Sequence, residues 1–211
     1  MHNTSSASGE GFSKTYGGDN LTVVDIGGRS VCGSLRSFFE SRNMKFICVD
    51  LEPHESVDLV VKPGEPLPLE DGSVDLVIST SCFEHDPCFW MTFREMCRIT
   101  KLGGFIYVNA PSNGPYHGFP GDNWRFYRDA SQALAYWSCK KIGNEPVYPC
   151  KVEEMFFIEP SGDVWRDFVT IWQRTEELTD SIVLSEEIIS KQGKLRTYIE
   201  QAGFKITEFK R

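Results

Sequence analysis

Two aspartates and two histidines stand where they could do chemistry. Asp25 closes a run of mostly branched apolar residues, Leu21-Thr22-Val23-Val24, and is followed by Ile26 and the pair Gly27-Gly28. A buried strand that ends in an acid and a glycine turn is a common way to hold a nucleotide-type cofactor. Glycine lets the backbone come close to such a ligand, because there is no Cβ to collide with it. An acid in that place suits a ligand with a positive charge or a donor group. Asp50 closes a second run, Lys45 to Val49, 25 residues after Asp25. That is near the interval of ~20 residues at which such folds set an acid against ribose hydroxyls. His85 sits in Glu84-His85-Asp86 and His117 in Tyr116-His117-Gly118. An imidazole titrates near neutral pH, so either could serve as a general base.

The elements that must position these groups alternate. Strands are predicted over Leu21–Ile26, Phe46–Val49, Val57–Val61, Val74–Ser79 and Phe105–Asn109. A helix over Val31–Arg42 presents Leu35, Phe38 and Phe39 on one side, and a second runs from Pro87 or Cys88 to about Thr100. The segment Lys62–Gly72, rich in proline and acids, reads as a loop. Alternating strands and helices imply a parallel sheet covered on both faces. Ala130–Cys139 reads as a further helix, and Cys150–Ile158 and Trp165–Arg174 as a hairpin. Trp165, Phe168 and Trp172 are expected in the core. Met1–Asn20 is polar and Ser/Gly-rich and reads as a flexible tail with Phe12 and Tyr16 as its only anchors. Residues 176–211 read as an extension, one or two helices and a strand-like end at Phe204–Phe209, serving as a cap or an oligomer contact.

Four stretches in order, VVDIGG (Val23–Gly28), FICVDLEP (Phe46–Pro53), PLEDGSVDLVISTSCFEHD (Pro68–Asp86) and FREMCRITKLGGFIYVNAPS (Phe93–Ser112), resemble the class I S-adenosylmethionine-dependent methyltransferases. Ser112–Ala130 is similar to the post-core segment of some small bacterial and phage-type members. The resemblance implies an α/β fold: a Rossmann-like, doubly wound, mostly parallel seven-stranded sheet with an antiparallel terminal hairpin, here over residues 21–175, before the C-terminal extension. It implies S-adenosyl-L-methionine as cofactor. Gly27 and Gly28 would pass its methionine part, Asp25 would meet its amino group, Asp50 its ribose hydroxyls and Leu51 its adenine. Ser79, Thr80 and Ser81, with Cys82, would line the sulfonium end. Methyl transfer to a hydroxyl needs a base, and His117 and His85 are the candidates, with His85 also suited to a structural role. The loop with Tyr116, Asp122, Trp124, Arg125 and Tyr127 would form the acceptor wall. Two departures stand out. Arg29 and Val31 take the places where the glycine motif often continues, and Lys62-Pro63 stands where many relatives carry an acid for the adenine amino group.

Charge and cysteine content bound the function. A formal net charge of −8 disfavours a broad nucleic-acid grip, which needs clustered Lys and Arg. Asn109-Ala110-Pro111-Ser112 lacks the second proline and the aromatic of base-modifying enzymes. No apolar run approaches the ~20 residues of a membrane span, and a cytoplasmic location is expected. The seven cysteines form no close CxxC pair, so neither a disulfide framework nor a metal site is expected, and Cys32, Cys48, Cys97 and Cys139 read as core residues. The expected acceptor is a small polar molecule, such as a sugar, glycan precursor or natural product, methylated at oxygen. The alternatives are a non-catalytic cofactor-binding module, and an NAD-dependent oxidoreductase, which would call for GxGxxG after the first strand. A homo-oligomer is possible.

Overall fold

Eight strands form one sheet in the order β3-β2-β1-β4-β5-β7-β6-β8. The structure is a computed structural model that describes residues 2–31 and 33–208. The parallel part comprises β1 (Thr22–Ile26), β2 (Lys45–Asp50), β3 (Leu59–Val60), β4 (Val74–Thr80) and β5 (Thr100–Pro111). The hairpin β6 (Cys150–Ile158) and β7 (Asp167–Arg174) joins antiparallel through β7 against β5. The predicted doubly wound fold is therefore present, with an eighth strand in place of the expected seven. That strand, β8 (Ile206–Thr207), pairs with β6, so the C-terminal extension ends inside the sheet.

Helices cover both faces. On one, α3 (Phe89–Ile99) and α4 (Asp129–Ser138) bury Phe93, Met96, Leu134 and Ala135 against Val77, Ile106 and Trp172. On the other, α1 (Asn3–Tyr16), α2 (Arg36–Glu40) and α6 (Lys194–Gln201) bury Phe12, Phe39, Leu195 and Ile199 against Leu76, Tyr107 and Val169. The short α5 (Glu186–Ser190) precedes α6 and is capped by the Ser185 hydroxyl.

The chain departs from its sequence pattern in several places. Residues 3–16, expected as a flexible tail, form α1, whose Thr4, Ser5, Ser8, Phe12 and Ser13 are buried. Small residues make this possible: a Cβ on Gly9 would stand 2.5 Å from Leu35, and one on Gly11 2.5 Å from Tyr198. Tertiary packing, not intrinsic propensity, carries such a helix. The helix expected over Val31–Arg42 shrinks to the five residues of α2, leaving residues 27–31 and 33–35 outside any helix. The strand β5 runs through Gly103-Gly104 instead of starting after them. Trp165 lies before β7 and outside the core, whereas Phe168 and Trp172 are buried as expected. Cys48 and Cys97 are buried, Cys139 is half-buried, and Cys32 and Phe209 lie outside the described residues. No helix among the described residues is long and apolar enough to cross a membrane.

Candidate functional site

The strand order reverses between β1 and β4, and open α/β sheets bind ligands at such a switch, beyond the carboxyl ends of the strands. A cavity of about 920 Å³ opens there. It is bounded by Asp25, Gly27 and Gly28 after β1, Asp50 and Leu51 after β2, and Thr80, Ser81 and Cys82 after β4.

The two acids are held differently. Asp50 Oδ2 accepts from the Arg29 amide at 3.1 Å and Oδ1 from the Leu51 amide at 2.8 Å, which fixes the carboxylate at the strand end. Asp25 is 4% exposed, and among the described residues nothing donates a hydrogen bond to its carboxylate. Burial, and then the charge of Asp50, push its pKa up to about 8, with Arg36 opposing. A carboxylate in that state calls for a cationic or donor partner.

The glycine turn serves the protein as well as any ligand. Gly27 sits at φ +74°, and a Cβ there would stand 2.4 Å from Cys82 Sγ. A Cβ on Gly28 would stand 2.5 Å from Asp25 Oδ2. Both glycines thus keep the ends of β1 and β4 together and leave the Asp25 carboxylate its place. Ser79, expected at the sulfonium end, does not line the cavity. It is buried, and its hydroxyl donates to the Ile26 carbonyl at 2.9 Å, tying β4 to β1.

Opposite the glycine turn, two loops are stitched together. The Asn123 amide donates to the Glu84 carbonyl at 2.7 Å, the Asn123 side chain to the His85 carbonyl at 2.8 Å, and the Trp124 indole to the Asp86 carbonyl at 2.9 Å. This brings His85 and His117 together, their ring centroids 4.9 Å apart. His85 Nδ1 lies 2.5 Å from the Gly121 carbonyl. His117 Nδ1 stands 3.2 Å from Asp122 Oδ2, and its ring packs on Trp165 at 4.5 Å. Both Nε2 atoms approach Glu84 Oε1, at 3.7 Å from His85 and 3.9 Å from His117. Burial lowers the His85 pKa. Glu84 is 1% exposed, and burial pushes its pKa up to about 8.

The expected acceptor wall divides. His117 and Gly118 line the cavity, with Phe119 and Pro120, whereas Tyr116, Asp122, Trp124, Arg125 and Tyr127 do not. Asp122 and Arg125 form a forked pair at 2.5 and 2.7 Å, and Arg125 also donates to the Pro115 carbonyl. That pair shapes the loop, and the Arg125 guanidinium holds the Asp122 carboxyl well below its ordinary range. Tyr116 and Tyr127 are 77% and 62% exposed. Sequence reasoning passed over Glu84 as a cavity group, although it adjoins His85, and passed over His2 and Trp165, which no local pattern marks.

The family model described as a methyltransferase domain matches residues 14–108. Uncharacterised methyltransferases of Mycobacterium sp. strains KMS and JLS are 30% and 35% identical over 135 residues, covering 59% of this chain and 52% of theirs. Over residues 14–108 the chain is thus similar to methyltransferases. It spans about half the length of the curated relatives it matches. Among solved structures, the fold is similar to that of a Burkholderia thailandensis 1,6-didemethyltoxoflavin-N1-methyltransferase. That protein has a TM-score of 0.64 at 12% identity, covering 82% of this chain and 79% of that one. The cyclase SpnF follows with a TM-score of 0.60 at 10% identity, covering 81% and 80%.

S-adenosylmethionine, the cofactor that the resemblance implies, fits the cavity. The buried Asp25 carboxylate suits an α-ammonium group, and Asp50, acceptor-only with two oxygens, suits a ribose diol. At the adenine end, Leu51, Val61, Lys62 and Pro63 offer apolar surface. Glu65, which could replace the missing acid, lines the same end and accepts from the Lys62 amide at 3.3 Å.

Proposed function

We infer that the protein transfers the methyl group of S-adenosylmethionine to a small polar acceptor, such as a sugar, glycan precursor or natural product, at an oxygen atom. One observation carries this reading. The two strand-end acids, Asp25 and Asp50, open onto the same cavity as the cluster Glu84, His85 and His117. A site for the donor and a site for handling a proton would therefore face each other across one cavity. S-adenosylmethionine supplies an electrophilic methyl group on a sulfonium leaving group.

The chain's own residues do the rest. Asp25 and Asp50 hold the two ends of the cofactor's polar part. Phe119, Pro120 and Trp165 keep water from the acceptor side, and the Arg29 guanidinium lies over Phe119 at 5.2 Å to bridge the mouth. Alignment and exclusion of water of this kind contribute up to ~7–11 kcal/mol in favourable cases. His85 Nδ1 donating to Gly121 would leave Nε2 as an acceptor, and His117 Nε2 faces the same point, so the acceptor's proton has an imidazole within the cluster to receive it. The acidic surface and the absence of a broad basic patch in the sequence support a small acceptor.

The test is calorimetry with S-adenosylhomocysteine and with NAD, followed by transfer of labelled methyl groups to a panel of hydroxylated small molecules. Binding of S-adenosylhomocysteine with label transferred to a hydroxyl is the expected result. Binding of NAD alone overturns the cofactor assignment. Cofactor binding with no turnover across the panel makes the chain a non-catalytic binding module, a use the fold allows, since fold does not dictate function.

A further inference from the structure

We propose that Glu84, His85 and His117 form a binding site for one divalent transition-metal ion of borderline softness. Their candidate donor atoms all lie within 4.8 Å of one another. The set, two imidazoles and one carboxylate, is a recurrent ligand triad for zinc and for non-haem iron. Metal-bound histidines characteristically give their other ring nitrogen to a carbonyl or carboxylate, which fixes the ring and leaves one lone pair for the ion. His85 is placed that way, and His117 has a carboxylate beside the corresponding ring nitrogen. His85 Nδ1 is 2.5 Å from the Gly121 carbonyl, and His117 Nδ1 is 3.2 Å from Asp122 Oδ2, though without hydrogen-bond alignment. Asp122 is itself clamped by Arg125 and by the His117 amide, so it is a fixed support for the ring.

A second, independent observation points to a cation. Glu84 Oε2 is buried, on a side chain 1% exposed, and has no hydrogen-bond partner. A buried carboxylate oxygen left bare is costly, and an ion would satisfy it. Arg125, whose charge reaches Glu84, is forked onto Asp122. Metal–ligand bonds of about 2.0–2.2 Å set tetrahedral donors roughly 3.3 Å apart. The 3.7 and 3.9 Å separations from Glu84 Oε1, within a set that spans up to 4.8 Å, are wider than this, and rotation of the 37%-exposed His117 side chain and of the Glu84 carboxylate would draw the donors in. Two imidazoles select against magnesium and calcium, which take all-oxygen shells.

Binding of the ion does not depend on the methyl-transfer reading, but with both Nε2 atoms as ligands neither imidazole is free to take the acceptor's proton, and the ion would replace that role by acidifying a bound hydroxyl. Only the further consequence rests on that reading: the ion's open positions face the cavity, where an acceptor oxygen would become its ligand. The sequence expectation of no metal addressed cysteine spacing, and these three ligands come together only through the packing of two loops.

The test is titration of the chelator-treated full chain with Co²⁺, followed by visible absorption and calorimetry. One equivalent with ligand-field bands is expected, displaced by Zn²⁺ and unaffected by Mg²⁺. Glu84→Gln and His117→Ala each should weaken Co²⁺ binding by about 100-fold or more, while His54→Ala, at a different pocket, leaves it unchanged. S-adenosylhomocysteine affinity is measured on the same samples. It reports that each variant is folded, and it separates failure of the metal site from failure of the cofactor reading. Absence of Co²⁺ binding by the wild-type chain, or unaltered binding by His117→Ala, overturns the proposal.

Discussion

The two halves of the cavity are built by different means. The half formed by β1 and β2 uses strand ends: Asp25 and Asp50 are placed by the parallel ladder itself, in which Asp25 pairs with Cys48 and Ile26 with Val49. The half formed by Glu84, His85 and His117 uses loops, held by hydrogen bonds from Asn123 and Trp124 to the backbone of residues 84–86. The first is rigid because the sheet is, while the second depends on side chains that are also proposed to carry the chemistry. Perturbing one half should therefore leave the other nearly untouched.

The largest expected separation comes from His117→Ala. Turnover should fall by about 10²–10⁴-fold, the usual worth of a positioned acid–base group, while S-adenosylhomocysteine affinity changes by no more than about twofold. Steady-state kinetics and calorimetry on one preparation decide it, and a matching loss of cofactor affinity would show that the halves are coupled.

Next is the pH response of Asp25. Its carboxyl titrates near 4 in the unfolded chain and near 8 in the folded, cofactor-free one. The folded state thus retains a proton that the unfolded state releases, so stability falls as pH rises from about 4 to about 8. Asp25→Asn lacks this group. It should be more stable than wild type at pH 8 by a few kcal/mol, with about 5 as the ceiling, and the gain should vanish toward pH 4. Denaturant melts across that range check it. A bound ammonium group favours the carboxylate, so cofactor affinity of the wild type should rise with pH through the same window.

Asp50→Ala should weaken cofactor binding by about 10–100-fold, the worth of hydrogen bonds to a charged group, with the Co²⁺ affinity of the opposite half unchanged. Smallest is Ser79→Ala. It removes one buried hydrogen bond, costs about 1 kcal/mol in a thermal or denaturant melt, and leaves cofactor affinity as it was. A large loss of affinity would restore Ser79 to the site.

Legibility in the sequence follows the same division. The motif Asp25-Ile26-Gly27-Gly28 and the acid Asp50 could be read because each lies at the end of an apolar run, and strand order is a general rule of the fold. His85 could be placed near the switch point for the same reason. Its meeting with His117 and Glu84 could not, since it depends on how residues 115–125 fold back over residues 82–86. The places of Tyr116, Trp124 and Tyr127 were not legible either: Trp124 anchors the loop, and the two tyrosines are exposed outside the cavity. The first helix was hidden by its composition. Serine, glycine and threonine are poor helix formers, and only contact with Leu35, Tyr107 and Tyr198 makes a helix of them.

That helix leans on the far end of the chain. Tyr16 donates to the buried Glu154, whose oxygens also accept from the Leu195 and Arg196 amides at the start of α6. One carboxylate thereby buckles the first and last helices to the same strand. Trimming the protein to residues 21–175 would strip both at once and lay bare Phe39, Tyr107, Ile158 and Val169. The shortened product should clump on expression, and supplying either missing end as a separate peptide should not rescue it alone.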